Sequence, residues 1–303
     1  MIHNDISAIL HQTNQIIIGK QQPIKLALTC LLAKGHLLIE DVPGVGKTTL
    51  AHTLAATLGL TFQRIQFTSD MLPADIIGVS IFNRDKAEFT FHPGPIFTQL
   101  ILADEVNRAS PRTQSALLEA MEEQQVTIDN QTLDLSTPFF VIATQNPSHQ
   151  LGTFELPESQ LDRFLMRIEI GYPDAEAERA LLSGENRRDL VKKLQAVITP
   201  QQLLDLQHQV STITVSSALL DYLQSILRYT RESGHFQHGL SPRAGLGLLS
   251  AAKAWASIDG RGHVVPEDVQ AVLANVVSHR LVVKDEAHRH NWLETMIQAI
   301  PVP

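Results

Sequence analysis

The residues with the clearest chemistry lie at positions 40–49, where the chain reads Glu-Asp-Val-Pro-Gly-Val-Gly-Lys-Thr-Thr. The apolar residues 37–39 before them predict a strand, and residues 50–58 after them predict a helix that stops at Gly59. A glycine-rich turn between two such elements leaves backbone N–H groups unpaired in front of the helix, where the helix dipole favours negative charge. The segment is therefore typical of a phosphate-binding loop rather than of an ordinary Gly/Pro turn.

The loop predicts both a phosphate site and a magnesium ligand. Lys47 would reach the β and γ phosphates of a nucleotide, and the Thr48 hydroxyl would ligate Mg²⁺. The motif GxxxxGK[ST] asks for glycine where this chain has Asp41, but Gly44 and Gly46 remain beside the predicted phosphate position. The predicted nucleotide-binding residues of the loop are Asp41, Val42, Pro43, Gly44, Val45, Gly46, Lys47, Thr48 and Thr49.

Two further strand ends carry candidate catalytic groups. The apolar run 100–103 ends in Asp104 and Glu105, and an apolar run suits a strand buried on both faces of a parallel sheet. Ligands bind beyond the carboxyl ends of such strands, so Asp104 could hold Mg²⁺ through water and Glu105 could polarise the attacking water. The predicted strand 138–144 leads to Asn146, whose amide could orient that water; a simple Asn-Pro turn is the alternative.

Three arginines are candidates for contacts with phosphate. Arg163 precedes the last predicted strand, 164–170, and is free to reach outward. Arg167 lies within that strand, where a position on the solvated face is enough to explain it. Arg243 lies in the first turn of a predicted helix, where the helix dipole disfavours a cation. An anionic partner such as a nucleotide phosphate would explain this position, and a plain surface arginine is the alternative.

An apolar patch near the N-terminus has two open interpretations. Residues 2–15 predict an amphipathic helix, residues 16–18 are isoleucines, and a second helix follows Gly19. Beside a phosphate-binding loop, Ile18 and Gly19 could hold the flat face of an adenine. They could equally belong to the ordinary core.

Composition limits the classes of function. The 303 residues have room for two domains, and a net charge of −8 argues against a protein that coats nucleic acid. The single cysteine, Cys30, excludes a disulfide framework and favours a reducing compartment, which predicts a cytoplasmic protein. No apolar run approaches a membrane span and no signal-peptide pattern is present. The pairs His235/His238 and His288/His290 lack cysteine or carboxylate partners, so we expect solvated histidines rather than a metal site.

The remaining patterns divide the chain at about Gly171. Residues 1–171 predict an α/β domain and residues 172–303 a helical one. Within the first domain, residues 68–98 are irregular but rich in hydrophobic residues, which predicts an insertion with short elements rather than a linker. Residues 125–136 alternate in polarity as a hairpin does, and they contain two aspartates but no lysine or arginine.

Taken together, these residues resemble those of AAA+ ATPases and, more narrowly, of the MoxR family, over nearly the whole chain. That family tolerates aspartate at position 41. The most specific stretches are EDVPGVGKTT at 40–49, ADEVNRASPRTQSALLEAMEE at 103–123, VIATQNP at 141–147, LPESQLDRFLMRI at 156–168 and SPRAGLGLLSAAKAWA at 241–256.

The resemblance implies a P-loop AAA+ core with a five-stranded parallel sheet, followed by a C-terminal helical lid. Residues 68–98 match the helix-2 insert and residues 125–136 the pre-sensor-1 hairpin. The roles it implies are Walker A for Lys47 and Thr48, Walker B for Asp104 and Glu105, sensor 1 for Asn146, arginine finger for Arg163, sensor 2 for Arg243 and adenine contact for Ile18 and Gly19.

The same resemblance implies an ATPase that uses ATP and Mg²⁺ in a homo-oligomeric, hexameric ring, in which Arg163 serves a neighbouring subunit. The lid would carry Arg243 against the nucleotide and move with its state. Chaperone-like remodelling or maturation of protein clients is implied, with a partner that bears a von Willebrand factor A domain. The alternatives are a nucleic-acid motor, which the acidic hairpin disfavours, a magnesium-chelatase-like ATPase subunit, and a scaffold that senses ATP without turnover.

Overall fold

The computed structural model describes residues 2–85, 87–146, 153–284 and 291–302. Pro147, His288 and His290, which belong to two of the predictions above, lie outside the described residues. The strands of the described chain are β1 (Leu37–Glu40), β2 (Phe62–Gln66), β3 (Gly78–Asn83), β4 (Glu88–Pro93), β5 (Leu100–Asp104), β6 (Gln125–Ile128), β7 (Gln131–Asp134), β8 (Phe140–Gln145) and β9 (Met166–Ile168).

The α-helices of the same residues surround the sheet and form the C-terminal part of the fold. They are α1 (Ile2–Ile16), α2 (Gln21–Leu32), α3 (Lys47–Thr57), α4 (Pro73–Ile77), α5 (Pro111–Glu123), α6 (Glu158–Leu161), α7 (Ala175–Ser183), α8 (Arg187–Lys192), α9 (Pro200–Ser211), α10 (Ser217–Glu232), α11 (Pro242–Ile258), α12 (Pro266–Val277) and α13 (Trp292–Ala299).

Five strands form a wholly parallel central sheet in the order β2-β5-β8-β1-β9. Successive side chains of a strand point to opposite faces, and here both faces are buried. Leu100 and Leu102 pack on the side of the sheet that also holds α1 to α3 and the C-terminal helices α9 to α13, whereas Ile101 and Ala103 pack on the side of α5. The predicted five-stranded parallel α/β core is confirmed.

The irregular region 68–98 contains short elements, as its composition predicts. Helix α4 leads directly into β3, which pairs with β4 as an antiparallel hairpin. The region 125–136 forms a second antiparallel hairpin, β6 and β7. Its turn residues Asp129 and Asn130 have φ of 48° and 63°, the left-handed region that aspartate and asparagine tolerate best among residues with side chains.

The last strand is shorter than the sequence predicts: β9 covers 166–168 rather than 164–170. The flanking Phe164 carbonyl and Ile170 N–H bond to side chains instead of to a neighbouring strand. The Phe164 carbonyl accepts from His279 Nε2 at 3.0 Å and Arg280 Nη2 at 2.6 Å, and the Ile170 N–H donates to Asp41 Oδ2 at 2.7 Å. Those contacts come from residues distant in sequence, which the local alternation of residues 164–170 does not register.

The C-terminal helices begin where their capping residues predict. Thr199 and Gln202 form a capping box at α9, and the Ser241 side chain caps α11 through the Ala244 N–H at 3.1 Å. Helix α11 packs against α2 and α12, and α12 packs against β9. Helix α12 ends at Val277. Among the described helices, none has both the length and the apolar character needed to cross a membrane.

Cys30 and His36 are buried neighbours under the sheet. The Cys30 thiol donates to the His36 carbonyl at 3.3 Å, and burial raises the pKa of the thiol, which makes Cys30 a packing residue. His36 Nδ1 accepts from the Val141 N–H at 3.1 Å, and Nε2 lies 3.2 Å from the Met121 carbonyl. Burial is the main cause that lowers the pKa of His36 from 6.5 to about 4.

This buried histidine predicts a loss of stability in mild acid. Since the unfolded chain takes up the proton first, the contribution of His36 is complete above pH 6.5 and is lost as the pH falls to about 4. The loss amounts to about 3 kcal/mol in the free energy of unfolding. Urea titrations between pH 7 and pH 4 should show this slope in the parent and a flatter one in His36→Gln. Equal slopes in the two proteins would contradict the assignment.

Candidate nucleotide-binding and catalytic site

A cavity of about 560 Å³ opens at the carboxyl ends of β5 and β8, in front of the N-terminus of α3. Ligands of open α/β sheets bind at this edge. The cavity brings together residues from segments that are far apart in the sequence. Of the predicted residues it is lined by Pro43, Gly44, Gly46, Lys47, Thr48, Thr49, Asp104, Glu105 and Asn146.

The loop before α3 has the backbone of a phosphate cradle. Gly44 and Gly46 have φ of 89° and 101°, a conformation that glycine adopts without strain. A Cβ built on either residue would meet no atom of the described residues within 4 Å, so the space in front of both is open in the part of the chain that the structure describes. Gly46 is the N-cap of α3, and no side chain caps that helix. Its first N–H groups are therefore available to an anion, and the loop fits a phosphate group.

Lys47 crosses this site as a buried cation, with only 8% of its surface exposed. Its Nζ donates to the Asp41 carbonyl at 2.5 Å and to Asn146 Oδ1 at 3.1 Å. Burial lowers the pKa of Lys47, against the opposing effects of Asp41, Asp104 and Glu105. The ammonium is thus held between the loop and the end of β8, where phosphate oxygens would meet it.

Asp104 and Glu105 are both fixed by Thr144 on the neighbouring strand β8. The Thr144 hydroxyl donates to Asp104 Oδ1 at 2.6 Å and accepts from the Glu105 N–H at 2.9 Å. Glu105 has φ 59° and ψ 49°, a left-handed conformation that is uncommon for a residue with a side chain. The bond to Thr144 stabilises this conformation, which turns the Glu105 side chain away from the course of β5.

Three donors orient the Glu105 carboxylate. Asn146 Nδ2 donates to Oε1 at 3.3 Å, while Gln66 Nε2 and Arg108 Nη1 each donate to Oε2 at 2.9 Å. Asn146 thereby links Glu105 to Lys47, because its other amide atom accepts from the lysine. A water held by Glu105 and Asn146 would lie beside the phosphate position of Lys47, which is the arrangement that hydrolysis of a phosphoanhydride requires.

Thr48 and Asp104 suit a Mg²⁺ ion that also binds nucleotide phosphates better than a metal ion held by protein ligands alone. Mg²⁺ usually binds one or two carboxylates together with waters and substrate phosphates. Thr48 and Asp104 both line the cavity and supply one hydroxyl and one carboxylate. Within the part of the chain that the structure describes, no group of three or more histidines, cysteines or carboxylates could hold a metal ion.

Sequence reasoning missed several residues of this site. Arg64 and Gln66 on β2, Arg108 after β5 and Thr144 on β8 all contact Asp104 or Glu105. Arg64 and Gln66 flank the buried Ile65 near the carboxyl end of β2. Two polar residues at that end of a parallel strand were the available signal, because strand ends converge at one edge of the sheet. The cavity lining also includes His52, Val191 and Lys192.

Asp41 was predicted to bind nucleotide, but its carboxylate faces the protein. Oδ1 accepts from the Val42 N–H at 2.8 Å, and Oδ2 accepts from the N–H groups of Ile170 and Gly171 at 2.7 and 2.6 Å. The side chain ties the start of the loop to the end of β9, and only its carbonyl contacts Lys47. A carboxylate aimed at phosphates would repel them, so this orientation is the favourable one. Val42 and Val45 are half-buried and do not line the cavity.

Gly19 lies beside the start of α7, and neither Ile18 nor Gly19 is in the lining of the cavity. Ile16 and Ile17 belong to the core, Ile18 is half-buried and Gly19 is exposed. A Cβ at Gly19 would meet Ala177 Cβ at 2.7 Å, and Lys20 Nζ donates to the Tyr172 carbonyl at 2.5 Å. The core interpretation therefore holds for the first two isoleucines, and an adenine contact by Ile18 and Gly19 stays a prediction.

Arg163 and Arg243 meet at a second cavity instead of at the loop. Arg163 Nε lies 3.0 Å from Glu122 Oε2, and Arg243 Nη1 lies 2.6 Å from Glu122 Oε1. Both arginines line this cavity, and neither lines the cavity of Lys47. Arg243 therefore does not line the cavity of Lys47 in this structure, and its contact with a nucleotide stays a prediction. The Arg243–Glu122 ion pair joins the first turn of α11 to the last turn of α5.

The loop that carries Arg163 is anchored by a buried arginine of the lid. Arg280 Nε donates to Asp162 Oδ1 at 2.6 Å, and Nη2 donates to the Asp162 carbonyl at 3.1 Å. Burial lowers the pKa of Arg280 and the Asp162 carboxylate opposes that effect. Arg167, the alternative finger, bonds within its own chain to Glu40 at 2.8 Å and to Ser278 at 3.3 Å.

A parallel α/β sheet, a phosphate cradle with a buried lysine, paired acidic residues at the end of β5 and a helical C-terminal part define the class of AAA+ ATPases. A family model described as "ATPase family associated with various cellular activities (AAA)" matches residues 36–166, and one described as "AAA lid domain" matches residues 228–300.

Individual relatives narrow the class. Chaperone MoxR1 of Mycobacterium tuberculosis is 39% identical, over 97% of this chain and 81% of its own. YeaC of Bacillus subtilis, a protein of uncharacterised function, is 44% identical, over 94% of this chain and 89% of its own. A crystal structure of a Cytophaga hutchinsonii protein with a provisional ATPase assignment has a TM-score of 0.89 and 36% identity, over 100% of this chain and 96% of its own. The chain belongs to the MoxR family of AAA+ ATPases.

Proposed function

We propose that this chain hydrolyses ATP to ADP and phosphate at the cavity of Lys47, and that the site is completed by arginines of a second copy of the chain. The observation that carries the proposal is one network at the end of the sheet: Lys47 bonds to Asn146, Asn146 bonds to Glu105, and Thr144 fixes Asp104 and Glu105. It contains a phosphate ligand, a base and a water-orienting amide in mutual contact.

In the proposed reaction each residue has one task. The backbone N–H groups of residues 44–49 and Lys47 bind the phosphates. Glu105 takes a proton from the water while the water oxygen bonds to the γ-phosphorus. The bond between the γ-phosphorus and the oxygen that bridges the β- and γ-phosphates breaks, and ADP is released. Asn146 orients that water. Bound Mg²⁺, which Thr48 and Asp104 would hold directly or through water, would neutralise charge on the phosphates.

The arginines support a shared site. Arg163 and Arg243 are held together by Glu122, away from the cavity of their own chain. A head-to-tail interface would bring this pair to the phosphates of a neighbour, and repeated contacts of that kind close into a ring. We propose a homo-oligomeric ring, of hexameric size by the family resemblance, with Arg163 as the finger and Arg243 beside it. Movement of the helical part, residues 172–303, relative to residues 1–171 would then transmit hydrolysis to a client.

Loss of the lysine tests the phosphate site. Lys47→Ala removes the only cation that lies between the loop and Asn146 among the described contacts. We expect the Kd for ATP to rise by at least about tenfold, since hydrogen bonds to charged groups contribute about 1.5–3 kcal/mol each. Calorimetric titration with ATP and Mg²⁺ measures the change. Affinity equal to that of the parent would contradict the phosphate-site assignment.

Protein clients are favoured over nucleic acid by charge. A motor that grips phosphates needs cationic hairpins, and the β6–β7 hairpin carries Asp129 and Asp134 without a lysine or arginine. The net charge of −8 points the same way. The relative named as a chaperone supports remodelling or maturation of protein clients. The partner with a von Willebrand factor A domain is proposed from the family resemblance alone. We place this activity in the cytoplasm.

A capture experiment tests the choice of client. Glu105→Gln protein loaded with ATP and Mg²⁺ should retain its partners because hydrolysis is blocked, and the same variant with ADP is the control. Proteins enriched with ATP, among them one with a von Willebrand factor A domain, would support the proposal. Enrichment of nuclease-sensitive nucleic acid instead would favour the motor.

A further inference from the structure

The Arg64 guanidinium lies on the carboxylate of Asp104, which is a proposed ligand of Mg²⁺. Its Nε and Nη2 donate to Asp104 Oδ2 at 3.1 and 2.7 Å, and Nη2 also donates to Gln66 Oε1 at 2.7 Å. The β2–β5 register pairs Arg64 with Leu102 and Gln66 with Asp104, so Arg64 lies diagonally across from Asp104 on the same face of the sheet.

The two carboxylate oxygens of Asp104 differ in how firmly their hydrogen-bond partners are held. Oδ1 accepts from Thr144, which is fully buried in β8, so this bond is part of the rigid core. Oδ2 is bound only by Arg64 among the described contacts, and the arginine side chain is 48% exposed. Since the Arg64 side chain borders the cavity and can swing into solvent, Oδ2 is the oxygen that can change partner.

A hydrated Mg²⁺ and the guanidinium would compete for Oδ2. Both are cations, and the waters of Mg²⁺ need the same acceptor that the two N–H groups of Arg64 use. Placing both beside one carboxylate would add repulsion between like charges to the loss of the arginine's hydrogen bonds.

We propose that Arg64 is a cationic placeholder on Asp104, and that Mg²⁺ enters the site by exchanging with its guanidinium. The proposal rests on the proposed function. Arg64 is here a positioning residue, since it acts through Asp104. It neutralises Asp104 when nucleotide binds without metal, and it raises the Mg²⁺ concentration needed to load the site.

Binding measurements on the full chain test this exchange without relying on turnover. A fluorescent ADP analogue is titrated in EDTA and then over a range of Mg²⁺ concentrations. The Mg²⁺ midpoint is the Mg²⁺ concentration at which the change in binding of the analogue is half complete. For Arg64→Gln we expect a midpoint about three- to tenfold lower than that of the parent, from the usual strength of a partly exposed ion pair. In EDTA the analogue should bind several-fold more weakly, because the Asp104 charge is no longer compensated.

Two further variants sharpen the result. Arg64→Lys keeps a charge but loses the paired donors, so its Mg²⁺ midpoint should lie between those of the parent and Arg64→Gln. Arg84→Gln, in the exposed turn after β3, makes the same change of charge and should leave the midpoint unchanged. Circular dichroism checks that each variant is folded.

Two outcomes would overturn the proposal. An unchanged Mg²⁺ midpoint in both Arg64 variants would show that the ion pair does not oppose loading. Weaker binding at saturating Mg²⁺, again with an unchanged midpoint, would make Arg64 a phosphate ligand instead. Failure of the parent itself to bind the analogue would contradict the proposed function, and that result is distinct from either of these.

Discussion

Replacing Arg163 by alanine is expected to lower kcat for ATP hydrolysis by about three to five orders of magnitude, the usual contribution of an arginine finger. In the proposed function this guanidinium would stabilise charge on the phosphoryl group of a neighbour's ATP. Among the described residues, only Arg243 shares the Glu122 carboxylate with it. Affinity for ATP should change little, because Arg163 does not line the cavity of its own chain. Single-turnover hydrolysis and ATP titration measure the two quantities separately.

Arg167 provides the matched control for this arginine. Arg167→Ala removes the same side chain four residues further on, but it breaks bonds to Glu40 and Ser278 within one chain. Its effect on kcat should be far smaller than that of Arg163→Ala. A larger loss in Arg167→Ala, with Arg163→Ala within about tenfold of the parent, would reverse the assignment of the finger.

Replacing Glu105 by glutamine is expected to leave ATP bound and to lower turnover by about two to four orders of magnitude, the range for loss of a general base. Glutamine has the same shape and keeps an oxygen for Gln66, Arg108 or Asn146, but it cannot accept the proton of the attacking water. The measurement is kcat at saturating ATP together with the Kd for ATP.

An equivalent change on the surface separates this effect from a general loss of charge. Glu123→Gln, in the exposed last turn of α5, should keep both the affinity and the turnover of the parent. If Glu105→Gln hydrolysed ATP at a near-normal rate, Glu105 would have no part in the proton transfer.

The sheet and the loop could be predicted from sequence because their signals are local. Apolar runs such as 100–103 mark strands buried on both faces, and the glycines and lysine of 44–47 follow one strand and precede one helix. Helix starts at Thr199 and Ser241 were equally readable from capping residues. Each of these features depends on neighbours within a few positions.

The surroundings of the site depend on contacts between distant segments and were not readable. The Asp41 carboxylate faces backbone rather than phosphate because the N–H groups of Ile170 and Gly171, some 130 residues later, donate to its Oδ2 at 2.7 and 2.6 Å. The position of Arg243 depends on how α11 packs against α2 and α12, and Arg64 reaches Asp104 only through the β2–β5 register. No periodicity within one segment encodes such long-range arrangements.

Mixing two inactive variants tests the shared site most directly. Lys47→Ala protomers lack the phosphate ligand but carry Arg163, whereas Arg163→Ala protomers have the opposite defect. In a ring assembled at random from equal amounts, about a quarter of the interfaces combine an intact loop with an intact finger, since each is contributed by half of the subunits. The account predicts ATPase activity that is near zero for each variant alone and rises to about that fraction of the parent at equal mixing. Absence of recovery at every mixing ratio, with mixed assembly shown by mass measurement, would contradict the account.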